Sequence, residues 1–575
     1  MKERLEDYTP ERAAEITGLH AEPIRELARK IARKRTNFLG ALGGAGKHYH
    51  GDLMERAQLL LLALTGNWGR PGTGVRAWTA GLLDGAGTIS LKSSRGPQEV
   101  TALLDMREAG MKALMAFDPT LTPAIISIEQ SKAGNGGVMP PVFWWYYHTG
   151  YAEAWNRKEW HDPSMQRPFD DYFQEAVQKG WWAGNDYPRK EHPTRVLIEM
   201  GGNVLRRTRG GGKMLLEHLW PKLKMIVAFE VRMSGTALFA DYVLPCAQQY
   251  EKIGFGIPSV HTMNLTFCDK AVDPPGEALD EWEAFRRLAE KLQERALARG
   301  VKPYQDARGI TRDPANALTA YTRNGAFPDE ETIADEMLRD TALTGALPAG
   351  ASLEDIRTKG YYRWVGLGMA PRAVAQSTDI KPGETFVPFR NHVEKGEPYP
   401  TLTRRAQFLI EHEWFIEADE HLPRHKEPPM QGGNYPFQIT SGHNRWSIHS
   451  LNTASDLMLD THRGTPHLVM NAKDAARLGI ADNDMVRVHN DQGDFRVPVL
   501  LSQSPIPGQV VMYNGFDVFQ FPNWSGPNDA EPGMIKWLHL AGGYGHLKYW
   551  NSQWQPCPVM RSTRVGIEKV SASRP

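Results

Sequence analysis

Apolar residues recur along this chain with two different periods, and the change between them divides it. Near the start, Ile24, Leu27, Ala28 and Ile31 keep the i, i+3, i+4, i+7 spacing of one buried helical face, opening at Pro23. Thr9-Pro10-Glu11 reads as an N-cap followed by proline at the first helical position. TNFLGALGGAGKHYHG (36–51) then predicts a short strand running into a glycine-rich loop, ERAQLLLLALTG (55–66) a buried helix, and NWGRPGTG (67–74) a loop. KALMAF (112–117) predicts another strand. RVLIEMGGNVLRR (195–207) reads as strand then glycine turn, and KMIVAFEVRM (224–233) and DYVLPCA (241–247) as two further apolar strands. Runs this uninterrupted suit a parallel sheet covered on both faces, and strand, glycine loop and helix in succession point to α/β layering.

From about Arg299 to Pro428 the chain is rich in Pro, Gly and charge, without clear periodicity. After Tyr435 the alternation becomes that of strands. MVRVHNDQGDFRVPVLLS (485–502) alternates on both sides of Asp491-Gln492-Gly493, a hairpin signal. The expected organisation is α/β over 1–190 and 191–300, an irregular excursion or linker over 301–430, and a β-barrel domain over 431–575. No internal repeat stands out.

A chain of 575 residues exceeds one hydrophobic core. Lys+Arg and Asp+Glu both number 67, and this neutrality argues against a broad nucleic-acid or anionic-membrane surface. The longest aliphatic run, Leu59–Leu64, is far short of a bilayer span, and MKERLEDYTPER lacks the apolar core of a signal peptide. Cys246, Cys268 and Cys557 are widely separated, which argues against a disulfide framework, a structural zinc site or a self-contained iron–sulfur cluster.

Familiar enzyme signatures fail one by one. GAGKHYHG and TRGGGKM lack the glycine and the Ser/Thr of a phosphate loop, and GTGVRA follows Pro71 and a helix where a dinucleotide fingerprint follows a strand. HEWFIE has no second zinc-binding histidine. What remains is VLIEMGGNVLRRTRGGGK, a strand ending in Gly201-Gly202-Asn203 with Arg206, Arg207, Arg209 and Lys213 behind it. Glycines allow close backbone approach and the cations suit phosphate; a tight turn with a solvated basic face explains the same residues equally well. Glu230, ending the next strand, stands where open α/β sheets bind ligands, or serves as a surface acid near a helix.

Taken together, VLIEMGGNVLRR, VRMSGTALFADYVLPCAQQYEK, AVDPPGEALDEWEAF and the tail from SGHNRWSIHS to GGYGHLKY resemble the dimethyl-sulfoxide-reductase family of molybdenum enzymes. GKHYHGDLMERAQLLLLALTGNWGRPGTG resembles the loop and helix these enzymes carry before their cofactor strands. The resemblance covers most of the chain, weakest over about 300–425. It is nearest the branch of nitrate reductase alpha subunits, ethylbenzene dehydrogenase, and selenate, perchlorate and dimethylsulfide enzymes. It implies parallel-sheet α/β domains and a C-terminal β-barrel gripping molybdenum bound to two molybdopterin guanine dinucleotides. By resemblance, Gly202, Asn203, Arg206, Glu230 and Asp241 serve the nucleotide end; His443, Arg445, His449 and Ser450 serve the pterin ends; His546 is a further cofactor contact.

Family members carry an N-terminal portion with a [4Fe-4S] cluster and the protein ligand to molybdenum, and neither is recognisable here. The expectation is therefore the C-terminal part of a catalytic subunit, inactive alone, with no metal ligand of its own. Its expected partners are the missing N-terminal part, an iron–sulfur electron-transfer subunit, a haem b subunit and a small-molecule substrate, with no nucleic acid. The expected chemistry is oxygen-atom transfer or water-dependent hydroxylation, on an oxyanion or on a hydrocarbon or sterol. The contrasting reading is a non-catalytic remnant or binding module of the same fold. A twin-arginine export signal would lie on the missing portion, so the location stays open: periplasmic with such a signal, cytoplasmic without it. PPVFWWYYHTGYAEAW (140–155) reads either as an access channel for an apolar substrate or as domain-packing aromatics. His443 and His449, six apart, share a strand face but have no third ligand at metal spacing, so they read as cofactor hydrogen-bonding groups.

Overall fold

The structure, a computed structural model, describes residues 2–40, 45–77, 83–134, 142–181, 189–256, 263–306, 309–445, 447, 449–461, 463–545 and 561–570. It is mixed α/β, with a closed β-barrel in the C-terminal region. Helix α1 (Pro10–Thr17) opens on Thr9, whose side chain accepts from the Arg12 amide at 3.2 Å, and α2 (Ala21–Arg33) follows. Strand β1 (Asn37–Gly40), helix α3 (Gly51–Leu64) and strand β2 (Gly74–Ala77) form one unit, the two strands pairing in parallel. Among the described residues, no helix is long and apolar enough to cross a membrane.

The strand expected over 112–117 is instead the end of a 20-residue helix, α4 (Gln98–Phe117). Gln, Glu, Ala, Leu, Met and Lys are strong helix formers over the whole window, and a six-residue run is too short to reveal that period. Val100 and Met111, three turns apart on one face, are its buried residues.

Helix α5 (Val142–His148) carries the aromatic run, and α6 (Phe169–Gln178) packs against it. Tyr146 stacks on Phe173 at 4.1 Å between centroids, and Tyr172 meets Trp537 at 4.3 Å. With Trp155, Trp160 and Trp414 these rings make the centre of the first core, fully shielded from solvent. The described part of the run is therefore packing, and the access-channel reading does not hold. Each such ring contributes roughly 2–3 kcal/mol by burial, and offset or edge contacts add about 1 kcal/mol.

Strands β3 (Val196–Met200), β4 (Met225–Glu230) and β5 (Tyr242–Pro245) form a parallel sheet in that order, with α7 (Gly211–His218) between the first two in sequence. Register runs Ile198↔Val227↔Tyr242 and Met200↔Phe229↔Leu244. Strands β6 (Gly254–Gly256) and β7 (Asn264–Cys268) come next, then helix α8 (Glu281–Ala298), capped by Asp280, whose carboxylate accepts from the Glu283 amide at 2.9 Å.

The segment expected to be an irregular linker is a packed body. Strand β8 (Tyr361–Arg363), which follows helix α9 (Glu330–Leu343), joins β7 and β6 in a three-stranded sheet, and helix and sheet share a core of Leu338, Ile356 and Trp364. That core also takes Leu83, Met263 and Leu265 from upstream, so its apolar pattern is distributed over distant segments and invisible in any local window. Beneath it, the Lys92 ammonium is buried between Glu336 and Asp340, which also accepts from Thr88 at 2.7 Å.

The barrel comprises β9 (Phe437–His443), β10 (Leu468–Asn471), β11 (Met485–His489), β12 (Asp494–Ser502), β13 (Gln509–Asn514) and β14 (Thr563–Lys569), closed in the order β9-β13-β10-β12-β11-β14. The expected hairpin is β11–β12, its turn built by Asn490, whose side-chain oxygen accepts from Gln492 at 2.9 Å and Gly493 at 3.2 Å. Alternate residues Val486, Val488, Phe495, Val497 and Val499 fill the interior, as period-2 patterning requires.

Candidate functional site

Two sets of parallel strand ends face each other. β3 and β4 finish at Met200 and Glu230; β9 and β13 pair in parallel and finish together at His443↔Asn514. Chain reversal after β3 needs left-handed backbone at Gly201 (φ 58°) and Asn203 (φ 45°), a conformation that glycine and asparagine tolerate. A Cβ at Gly202 would displace the Glu199 carboxylate, the far end of a flexible side chain.

Asn203 locks the two rims together. Its side-chain oxygen accepts from Thr236 N (3.1 Å) and Oγ1 (3.0 Å), while Nδ2 donates to Asp517 at 3.2 Å. Asp517, on the loop after β13, also accepts from Arg232 Nη2 (2.8 Å) and Gly235 N (2.9 Å). Arg206 Nε donates across the same seam to the Phe516 carbonyl at 3.0 Å. Asn203 thus spends its polar atoms on protein, and its first role here is to fix the spacing of the rims.

His443 and His449 meet edge-to-face at 4.6 Å between centroids. His449 itself has φ 49°, and the Gly515 position admits no side chain because the His449 carbonyl fills it. Burial lowers the pKa of both rings, and the neighbouring Lys47 and Arg206 charges lower it further; Arg561 adds to the effect on His443, Arg207 to that on His449. Neither imidazole pairs with a carboxylate among the described residues, so both are neutral near pH 7 and can donate from one nitrogen and accept at the other. Arg206 is itself pushed down to about 10, by burial and then by Arg209. Buried polar atoms without a protein partner, Ser447 Oγ in the loop after β9 and Asn514 Oδ1 at the end of β13, belong to the same rim. Several cations, two neutral rings and unsatisfied buried polar groups form a receptor for a polyanion carrying a hydrogen-bonding ring system.

A second recess of about 250 Å³ opens at the carboxyl ends of β3–β5, between Gly201, Val231, Gln248, Lys252 and Leu451 of the barrel loop. Glu230 ends β4 beside it, nearly buried, its pKa raised by desolvation. Cys246, also on this recess, is pushed up to about 11 by burial, so its thiol stays protonated and is no nucleophile.

Gly202, Asn203, Arg206, Glu230, His443 and His449 are thus brought to the two facing rims. Arg445 and Ser450 lie on the loop leaving β9, Arg445 exposed and the Ser450 carbonyl accepting from Thr453. Asp241 is not brought to the rims. It precedes β5 at the opposite, amino-terminal end of the sheet, where its carboxylate caps Ile226 N at 2.8 Å. His546 lies outside the described residues. Lys47, Arg561 and Asp517 escaped sequence reasoning: Lys47 stood in a glycine loop tested only for nucleotide-loop geometry, and Arg561 reaches the site because its amide bonds the Lys47 carbonyl at 3.2 Å.

Among the described residues, one cluster has metal-sized spacing: His50, Asp162 and Glu420 present ligand atoms within 4.8 Å of one another. Lysines already fill it. Lys426 Nζ is 2.9 Å from Glu420 and 3.6 Å from Asp162, and Lys536 Nζ holds the other Glu420 oxygen and lies 2.7 Å from Asp52. Two ammonium groups do there what a cation would do.

Residues 28–291 match the family described as "Molybdopterin oxidoreductase", and residues 437–532 match the "Molydopterin dinucleotide binding domain". The respiratory nitrate reductase subunit alpha of Haloferax mediterranei is 29% identical, over 99% of this chain and 54% of its own length. The perchlorate reductase subunit alpha of Dechloromonas aromatica is also 29% identical, over 99% of this chain and 55% of its own. The chain thus spans about half the length of these curated relatives. Among solved structures, acetylene hydratase from Pelobacter acetylenicus superposes with a TM-score of 0.56 at 16% identity, covering 99% of this chain and 66% of that one, which bears on fold alone.

Proposed function

We propose, from the premise that this chain belongs to the molybdopterin oxidoreductases, that it grips the cofactor of a molybdenum oxidoreductase exchanging an oxygen atom between a small molecule and water. The carrying observation is the gathering of Lys47, Arg206, Arg207 and Arg561 about the His443–His449 pair. The residues fit bis(molybdopterin guanine dinucleotide): unpaired buried Ser447 Oγ and Asn514 Oδ1 await polar partners, and Gly515 leaves no side chain between them. Lys47, Arg206 and Arg561 would hold the pyrophosphates, and the neutral imidazoles would hydrogen-bond the pterin edges. Glu230, at the second recess, would accept from a guanine or ribose. The Asn203–Asp517 seam keeps the two rims at fixed separation, so binding does not have to order them.

When bound, the molybdenum centre supplies two-electron oxygen-atom transfer. Reducing an oxyanion takes up two electrons and two protons and releases water; hydroxylation runs the same balance backwards. The relatives named for nitrate and perchlorate favour a small oxyanion, and burial of the α5 aromatics removes the argument for a hydrocarbon channel. The electrons would come through a [4Fe-4S] cluster on polypeptide beyond the matched half and through an iron–sulfur partner subunit. The native assembly containing this chain, purified from producing cells, should contain molybdenum by elemental analysis and release guanine nucleotide on acid hydrolysis. Absence of both overturns the proposal.

A further inference from the structure

A recess of about 800 Å³ lies between α1, α3 and the segment that precedes the barrel. Leu53, Ala57, Leu60 and Leu61 of α3 make much of its wall, and among the described residues no carboxylate lines it. One end meets the cofactor cations. His48 and Ser562 belong to the lining, and each directly follows a cation of the site, Lys47 and Arg561. The two segments are laced together: the Arg561 amide donates to the Lys47 carbonyl at 3.2 Å, and the Tyr49 amide to Ser562 Oγ at 3.5 Å.

Most polar groups of the lining are already committed. His50 turns Nδ1 toward Glu420 at 3.3 Å and Nε2 toward Asp162 at 4.0 Å, and Lys426 pairs with the same two acids. Arg424 pairs with Asp419 and His425 with Glu427. Burial raises the Tyr49 pKa well above its usual value, so that phenol keeps its proton. His48 differs. Its ring is half-buried and meets no carboxylate among the described residues; burial, and then the Arg561 charge, hold its pKa below the ordinary 6.5.

We infer that this recess is the approach from solvent to the cofactor, and that His48 passes protons between its water and the oxygen being transferred. This rests on the proposed function, in which an oxyanion takes up two electrons from the iron–sulfur partner and two protons, and water leaves. His48 gives up one proton and regains one from recess water before the second transfer, so the imidazole is unchanged at the end of a cycle. Imidazole suits the task because it gains and loses a proton in the physiological range. An oxyanion entering here passes no carboxylate of the lining.

Footprinting of the native assembly with diethyl pyrocarbonate tests the approach without turnover. His48 should be labelled in the resting assembly and protected by nitrate or chlorate, as read by peptide mass spectrometry. No labelling, or labelling that neither anion changes, overturns the inference. The proton role is read from pH. With chlorate as acceptor and a reduced viologen as donor, turnover should rise as pH falls toward and below 6.5, because the donor form of His48 then accumulates. His48→Ala, carrying the same molybdenum, should lose roughly 100-fold in kcat, flatten that rise and recover part of the rate with added imidazole. A rate and profile unchanged by His48→Ala overturn the role, and so does a loss that leaves the profile intact and that imidazole does not restore. An assembly without molybdenum refutes the cofactor reading, while the footprint still decides the recess. Molybdenum present with His48 unlabelled or dispensable refutes this inference alone.

Discussion

Asn203 shows how much one side chain can hold. It carries left-handed backbone, accepts two hydrogen bonds from Thr236 and donates to Asp517 across the seam between sheet and barrel. Asn203→Leu leaves buried acceptors and donors unpaired on both sides, so chemical denaturation should show a loss of about 2–4 kcal/mol. Cofactor content should fall with it, through displaced rims. The His443–His449 pair makes a prediction in pH. Both rings have folded pKa values below the ordinary 6.5, so the unfolded chain takes up protons first as pH falls. Their contribution to stability is therefore full above pH 6.5 and is lost on acidification through the lower, folded values. A bound polyanion works the other way, favouring the charged rings. Sulfate, whose charge is constant over this range, should bind this chain more tightly at pH 5.5 than at pH 7.5 by isothermal titration, and His449→Asn should flatten that dependence.

At the scale of elements, the barrel and the three-stranded sheet contrast. Barrel strands alternate so regularly that their interior set can be read from sequence: Val486, Val488, Phe495, Val497 and Val499 point inward and are essentially inaccessible. Phe495→Ala should cost about 3–5 kcal/mol in reversible denaturation, the transfer and cavity cost of a large core ring. The hairpin at Asn490 was equally legible, because the turn chemistry lies in adjacent residues. Helix α4 was not, since an apolar hexamer is common to strand and helix, and the length that decides between them lies outside it. The sheet's strands were legible as strands, yet their exposure was not, because apolar runs predict burial without naming what does the burying.

Across the whole molecule, charge ties distant segments together. Asp52 on α3, Glu420 and Lys426 of the segment before the barrel, and Lys536 near the C-terminal end form one buried network with Asp162 and His50. Lys536→Met leaves Glu420 to Lys426 and His50 alone and takes the ammonium from partly exposed Asp52, and should destabilise by about 2–3 kcal/mol. His50 and the two ammonium groups outweigh burial and hold Glu420 well below its ordinary 4.5. A depressed folded pKa means its stabilisation is present above pH 4.5 and is lost as pH falls below that. Melting temperature should therefore drop steeply on the acid side of 4.5, and much less so in a Glu420→Gln, Lys536→Met double variant.

Sequence alone determined β3, β4 and β5, the barrel pattern and the glycine turn with its arginines, because each rests on neighbours within a few residues. It also located the paired histidines, through a long run of motifs in order. Only the tertiary structure decided which of these meet. Lys47 and Arg561 join the histidines although 514 positions separate the two cations, and Asp241, beside the right strand, falls at the wrong end of it. Asn203 turned out to be a clasp before it is a ligand contact. Electrostatics and burial act through space, and the distances that set them are created when the sheet and the barrel close on each other.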